Sequence, residues 1–357
     1  MPDCPAISIH DDAAAERLRQ ESGLNLRPWR RLRYGFYQLG RPDEELLAEL
    51  PLPARTEILA QLRLHDLQLV DRRTSAEGAT KLILRTRDYR HVEAVILGAA
   101  TRRRTSLCIS SQVGCAARCV FCATGQMAQV RDLSAREIVD QVSHANQLLR
   151  GTARKVTNVV FMGMGEPFHN EEAVIEAAHL LFSQRHFNLS PKRTVVSTVG
   201  VPAAMLRFAR RFPHTSLALS LHAARQDVRE RLIPLARRYP LDELRATLAE
   251  VLTLQKAPLM IEYLLLSGIN DSLDDAHRLA DFLRDFPVLV NLIPFNPVEH
   301  APELTSSSRE HGTAFASVLR DRGFLVTFRR SLGKDIEAAC GQLIQQLDQG
   351  VVPLASP

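Results

Sequence analysis

The sequence predicts an α/β protein: a partial (β/α)6-type barrel preceded by a small N-terminal accessory domain of helices and short strands. From about residue 100 onward, short β-branched or apolar runs alternate with stretches of helical period. The residues of unusual chemistry cluster at the carboxyl ends of those runs, where barrel and open-sheet active sites are built. A chain of 357 residues, 45% of them hydrophobic, has core enough for about two domains.

The N-terminal domain is placed at residues 1–99. Its segments AAAERLRQES, PDEELLAEL and ARTEILAQL, within 12–65, read as a helical unit, and residues 67–97 read as a meander of short strands. The barrel is placed at 100–330, with strands in TSLCISS (105–111), VTNVVFMG (156–163), RTVVST (193–198), TSLALSL (215–221), MIEYLLL (260–266), VLVNLIP (288–294) and FLVTFRR (324–330). SAREIVDQVSHANQLLR, EEAVIEAAHLLFSQ, PLDELRATLAEVLTLQ and SLDDAHRLADFLRDF supply helices between them, each opened by a cap or first-turn acid. Repeated strand and helix units imply parallel strands with right-handed crossovers. Residues 331–357 form a C-terminal extension that ends in the tail GVVPLASP.

Forty-five Lys and Arg against 40 Asp and Glu give a net charge of +5. Arginine runs at Arg30-Arg31, Arg102-Arg103-Arg104, Arg210-Arg211 and Arg329-Arg330 suit phosphate contacts, and solvated surface arginine explains them equally well. No apolar run approaches the roughly 18 residues that span a bilayer, and the polar opening MPDCPAISIHDD is unlike a secretion signal. A cytoplasmic protein without a membrane partner is the expectation.

Of six cysteines, Cys115, Cys119 and Cys122 fall within eight positions of SSQVGCAARCVFCATG. A structural zinc site takes four ligands, usually as two spaced pairs, and no second Cys-x-x-Cys is present. A ferredoxin-type 4Fe-4S cluster takes four thiolates. Three thiolates leave one iron open to a substrate or cosubstrate, which suits a catalyst better than a carrier. Cys4, near the N-terminus, reads as incidental.

The spacing Cys115-x-x-x-Cys119-x-Phe121-Cys122 resembles the radical S-adenosylmethionine superfamily. CISSQVGC (108–115), VVFMGMGEP (159–167), SLHAARQDVRERLIPLARRYPLDEL (220–244), IEYLLLSGINDS (261–272), VNLIPFNP (290–297) and DIEAACGQL (335–343) together resemble the RlmN/Cfr family of RNA methyltransferases within it. The resemblance implies a radical S-adenosylmethionine barrel whose open iron chelates that cosubstrate, and a 5′-deoxyadenosyl radical after reductive cleavage. It implies two S-adenosylmethionines per turnover. One methylates Cys340 on sulfur; the radical from the second takes hydrogen from that methyl, which then adds to carbon 2 or carbon 8 of an adenine. Cys108 resolves the adduct, leaving a Cys108–Cys340 disulfide to be reduced again. Implied partners are large-subunit ribosomal RNA, with transfer RNA as a further substrate, an electron donor such as flavodoxin or ferredoxin, and a thiol reductant.

The resemblance assigns cosubstrate contacts to Gly165, Glu166, Ser197, Ser220, Leu221, His222 and Asn296. Glycine permits close backbone approach and the acid accepts from an amino group. It assigns proton acceptance to Glu93, although a lone acid on a strand ordinarily faces solvent. The chain departs from the family pattern at Gln126–Asp132, in the N-terminal region, and at Ser331-Leu332, where threonine and arginine are expected. Trp29, Tyr34, Phe36 and Tyr37 could stack on splayed bases, but the core of a small helical domain explains them better.

Two other readings stay open. One keeps the radical cluster and assigns a non-RNA substrate, with no role for Cys340. The other is an iron–sulfur electron carrier or RNA-binding module with Cys108 as fourth ligand.

Overall fold

A computed structural model describes residues 7–98, 104–152, 154–329 and 332–343. Cys4, Arg102, Arg103, Arg330, Ser331 and the tail lie outside the described residues.

Four helices come first: α1 (Asp12–Glu21), α2 (Leu26–Tyr37), α3 (Asp43–Ala48) and α4 (Leu52–Gln61). Trp29, Phe36 and Tyr37 are at most 2% exposed and form their core, as expected, whereas Tyr34 is 58% exposed. The difference is helical phase: Tyr34 lies on the outer face of α2 with Arg27, Arg30 and Arg31.

An antiparallel meander follows: β1 (Gln68–Thr74), β2 (Thr80–Arg85) and β3 (His91–Leu97). Next comes the repeating unit: β4 (Ser106–Cys108), α5 (Ala135–Leu149), β5 (Asn158–Phe161), α6 (Glu171–Phe182), β6 (Thr194–Thr198), α7 (Pro202–Arg211) and β7 (Ser216–Ser220). The chain continues through α8 (Gln226–Leu232), α9 (Leu241–Leu254), β8 (Leu259–Leu265), α10 (Leu273–Phe282), β9 (Val288–Pro294), α11 (Arg309–Asp321) and β10 (Leu325–Phe328).

All ten strands form one sheet in sequential order. The seven from β4 to β10 are parallel and joined by helical crossovers. The sheet ends at β1 and β10 instead of closing, which makes the barrel partial. The expected boundary near residue 99 is crossed by hydrogen bonds, because β3 pairs antiparallel with β4, Val95 opposite Cys108. The meander therefore extends the barrel wall, and only the four helices stand apart.

Local chemistry fixes the crossovers. Ser134 with Glu137 and Ser272 with Asp275 form capping boxes at the starts of α5 and α10. Strands β8 and β9 are apolar almost throughout because helices cover one face and the barrel interior takes the other. The helical unit docks on α5, where Gly40 lies so close that an added Cβ would stand 2.6 Å from the Asn146 carbonyl oxygen. No described helix is long and apolar enough to cross a membrane.

Candidate active site

The loop after β4 carries the three clustered cysteines. Gln112–Val113 pairs antiparallel with Arg131–Asp132 and closes the loop at its base. Gly114 has φ +79°, and an added Cβ would lie 2.1 Å from the Ala128 carbonyl oxygen, so no other residue fits. Gly125 similarly lies against the Cys119 backbone. Cys115, Cys119 and Cys122 all line one cavity of about 160 Å³ at the carboxyl ends of the strands. Burial pushes Cys115 up to about 12 and raises Cys119 and Cys122 as well. Such thiols stay protonated until a metal takes the sulfur. Three soft donors on one glycine-shaped loop, open on the cavity side, fit an iron–sulfur cluster with one free iron. Cys108 does not line this cavity, so it is not placed as a fourth ligand.

The β5–α6 turn forms the next wall. Gly165 has φ +99°, and a Cβ there would meet Gln112 Cβ at 2.6 Å. Gln112 in turn accepts from the Glu166 amide at 2.8 Å. The Glu166 carboxylate accepts from the amides of Val199 at 2.8 Å and Phe168 at 3.1 Å. Burial raises its pKa to about 7. Ser197 and Ser220 share a hydrogen bond of 3.1 Å across neighbouring strands and line the same cavity. His222, also in the lining, accepts from the Leu264 amide through Nδ1 at 3.0 Å, so its Nε2 carries the proton. Burial holds that ring neutral, its pKa near 3.

Two expected contacts fall elsewhere. Leu221 is fully buried in the core and outside the cavity lining; its amide donates to Glu262 O and its carbonyl accepts from Arg229. Period-2 alternation at the end of β7 turns it inward while its neighbours face the cavity. Asn296 is also outside that lining, and it holds the C-terminal segment: its Nδ2 donates to the Cys340 carbonyl at 3.2 Å.

That segment brings Cys340 into the cavity wall and into a second cavity lined by Val95, Leu97, Cys108 and Cys340. The two cavities share Met162, Ile293, Arg329 and Cys340. Both thiols are free. Burial, with Cys340 nearby, pushes Cys108 up to about 12 while Arg329 opposes the rise. Glu93 is buried instead of solvent-facing, because β3 runs inside the extended sheet; its Oε1 lies 3.4 Å from Lys81 Nζ. It shares a strand face with Val95 and Leu97 of the second cavity.

Gln112 and Glu262 were missed from sequence, and Arg329 was read only as part of an arginine run suited to phosphate. A charged residue inside the apolar run IEYLLL was a readable signal for Glu262, whose Oε1 has no hydrogen-bond partner among the described residues. Arg229 was also missed; it is fully buried beside the cysteine loop, donating to the carbonyls of Val199 and Leu221.

Comparison with known proteins identifies the family. The Radical SAM superfamily model matches residues 109–283. A probable RNA methyltransferase of Rhodopirellula baltica is 49% identical over 97% of this chain and 90% of its own length. The dual-specificity RNA methyltransferase RlmN of Psychrobacter arcticus is 37% identical over 87% of this chain and 81% of its own. The crystal structure of a radical SAM methyltransferase from Sphaerobacter thermophilus superposes with a TM-score of 0.89 at 38% identity, covering 94% of this chain and 99% of that one. With relatives of this closeness over most of its length, the chain belongs to the RlmN family of radical S-adenosylmethionine RNA methyltransferases, enzymes that use a 4Fe-4S cluster and S-adenosylmethionine.

Proposed function

We propose that the enzyme methylates carbon 2 or carbon 8 of an adenine in large-subunit ribosomal RNA, with transfer RNA as a second substrate, using Cys340 as a methyl carrier and two S-adenosylmethionines per turnover. The observation that carries this reading is the position of Cys340 in the wall common to both cavities, facing the cluster cysteines on one side and Cys108 on the other.

Cys115, Cys119 and Cys122 would hold the cluster, and Glu166, Ser197, Ser220 and His222 would line the cosubstrate. When bound, the cluster supplies the one-electron reduction that makes the second cosubstrate a hydrogen-atom acceptor, with electrons from a flavodoxin- or ferredoxin-type donor. Cys340 first displaces the methyl group of one cosubstrate from its sulfonium, a two-electron substitution that leaves S-adenosylhomocysteine. A hydrogen atom then leaves the S-methyl group for the cosubstrate fragment, its carbon bonds to the adenine carbon, and the resulting adduct radical would give one electron back to the donor chain. Glu93 accepts the proton lost from that carbon, and Lys81 beside it offsets the charge. The Cys108 thiolate attacks Cys340 sulfur and breaks its bond to the methylene carbon, which takes up a proton, giving methyladenine and a disulfide. A thiol reductant returns both sulfurs.

The test is peptide mass spectrometry of anaerobically reconstituted enzyme given S-adenosylmethionine with a labelled methyl group. Label on Cys340 is expected. An unlabelled Cys340 in protein with verified cluster and cosubstrate binding points to direct use of a different substrate.

A further inference from the structure

His10, His65, Asp140 and His144 meet between the N-terminal helices and α5, sharing no residue with either cavity. Asp140 and His144 are one turn apart on α5 and so share a face. His65 comes from the segment between α4 and β1, and His10 follows the short strand Ile7–Ser8. The cluster is largely buried: Asp140 is 0% exposed, His10 3% and His144 7%, while the His65 side chain keeps 14% of its surface. Rings of Phe36, Tyr37 and Phe187 stand within 6.4 Å of the His10 ring.

Two ring nitrogens in this space, His10 Nε2 and His65 Nε2, lack a hydrogen-bond partner among the described residues. Tyr37 donates its only hydroxyl proton to the Ile9 carbonyl at 3.0 Å, so its oxygen must accept from His10 Nδ1, 3.1 Å away. In the neutral ring with its proton on Nδ1, His10 Nε2 turns a lone pair toward Asp140 Oδ1 at 3.5 Å and makes no hydrogen bond among the described residues. A lone pair facing a carboxylate in a buried interior calls for a cation between them, a proton or a metal ion. His65 Nδ1 lies 2.7 Å from the same Oδ1, and ligand atoms of His65, Asp140 and His144 all lie within 4.8 Å of one another.

We propose that these four residues bind a structural divalent transition-metal ion, with zinc the best match. Three imidazole nitrogens and one carboxylate oxygen are the donors that zinc takes, and a fully protein-ligated set leaves no position for catalysis. Outer partners are in place. Tyr37 receives His10 Nδ1–H, Asp43 lies 3.3 Å from His65 Nε2, and Asp140 Oδ2 already accepts from the amides of Asp66 and Leu67, leaving Oδ1 for the metal. Metal bonds of about 2.0–2.2 Å set tetrahedral ligand atoms roughly 3.4 Å apart, so loading would open the His65–Asp140 contact. It would also give up the contact of His144 Nε2 with the Leu67 carbonyl. The ion would pin the helical unit, through His10 and His65, to barrel helix α5.

The test is metal analysis of the cluster-loaded, full-length enzyme purified without oxygen from zinc-supplemented cells. About one zinc per chain is expected besides the iron. Asp140→Asn and His144→Ala should each lose the zinc and keep the iron. Because either variant could fail to fold, the wild type is also titrated with cobalt(II), which should bind one equivalent with the visible bands of a tetrahedral site. Wild type with neither zinc nor cobalt bands overturns the proposal and leaves protonated imidazoles as the cation; zinc retained in both variants overturns it equally.

Discussion

The Asn296 side chain donates to the backbone carbonyl of Cys340 at 3.2 Å, fixing the methyl-carrying candidate at the junction of two cavities. Gln342 supports the same turn by donating to the Pro297 carbonyl at 2.9 Å, and the Gly341 carbonyl accepts from the Ala123 amide beside the cysteine loop. The C-terminal segment is thus stitched to the cluster loop on one side and to the end of β9 on the other.

Asn296→Ala removes one of these ties. A hydrogen bond of this kind is worth about 1 kcal/mol, so Cys340 should spend several-fold less time in the aligned position. Methyl labelling of Cys340 should slow by roughly fivefold while iron content holds. Cosubstrate affinity, measured separately, tells the two roles of Asn296 apart: a fall in affinity alone would mean that it acts on the ligand and not on the loop.

Gly165→Ala tests the close approach at the β5–α6 turn. A Cβ at φ +99° would collide with Gln112 at 2.6 Å, and Gln112 also holds the Glu166 amide. Shifting it costs roughly 1–3 kcal/mol of strain and displaces the acid. Weakened S-adenosylmethionine binding with an intact cluster absorption spectrum is expected. Unchanged binding would show that the turn does not shape that pocket.

The buried Glu166 carboxyl makes binding and stability depend on pH. Its pKa is raised from the ordinary 4.5 to about 7, so the native protein favours the neutral acid. The sign follows: its contribution to stability is fully present below 4.5 and is lost as pH rises through 7, about 3 kcal/mol in all for ligand-free protein. Affinity for the cosubstrate's amino group runs the other way, rising from pH 6 to 8 as the carboxylate forms. Glu166→Gln should flatten both trends in thermal melts and binding titrations; slopes that persist in this variant would assign them to another group.

Much of this site was legible because chemistry and spacing coincide. Cys115, Cys119 and Cys122 announce a cluster by count alone, and the apolar runs place β4 through β10 within a few residues of their observed ends. The helical phase of Tyr34 and the inward turn of Leu221 were not legible, since each depends on a rotation that period alone does not fix. Gln112 and Arg329 act through distant partners, Glu166 across 54 residues and Met162 across 167. The meander looked like a separate domain because its turns are local, while the β3–β4 pairing that fuses it to the barrel has no local signature.

Cys108→Ser separates the readings that the sequence left open. If Cys108 were a fourth cluster ligand, its loss would strip iron from the protein. The structure instead puts Cys108 on β4 in the second cavity, where burial pushes its thiol up to about 12 and Arg329 is the nearby charge that opposes the rise. Iron content should therefore stay at the wild-type level, and the protein should arrest with RNA bound covalently through Cys340, visible as a slow band on denaturing gels. Arg329→Gln should give a milder form of the same defect. It removes the guanidinium that favours the Cys108 thiolate, so resolution of the adduct should slow and recover as pH is raised. A variant whose adduct resolves at the wild-type rate at every pH would show that Arg329 serves the cavity wall and not the thiol.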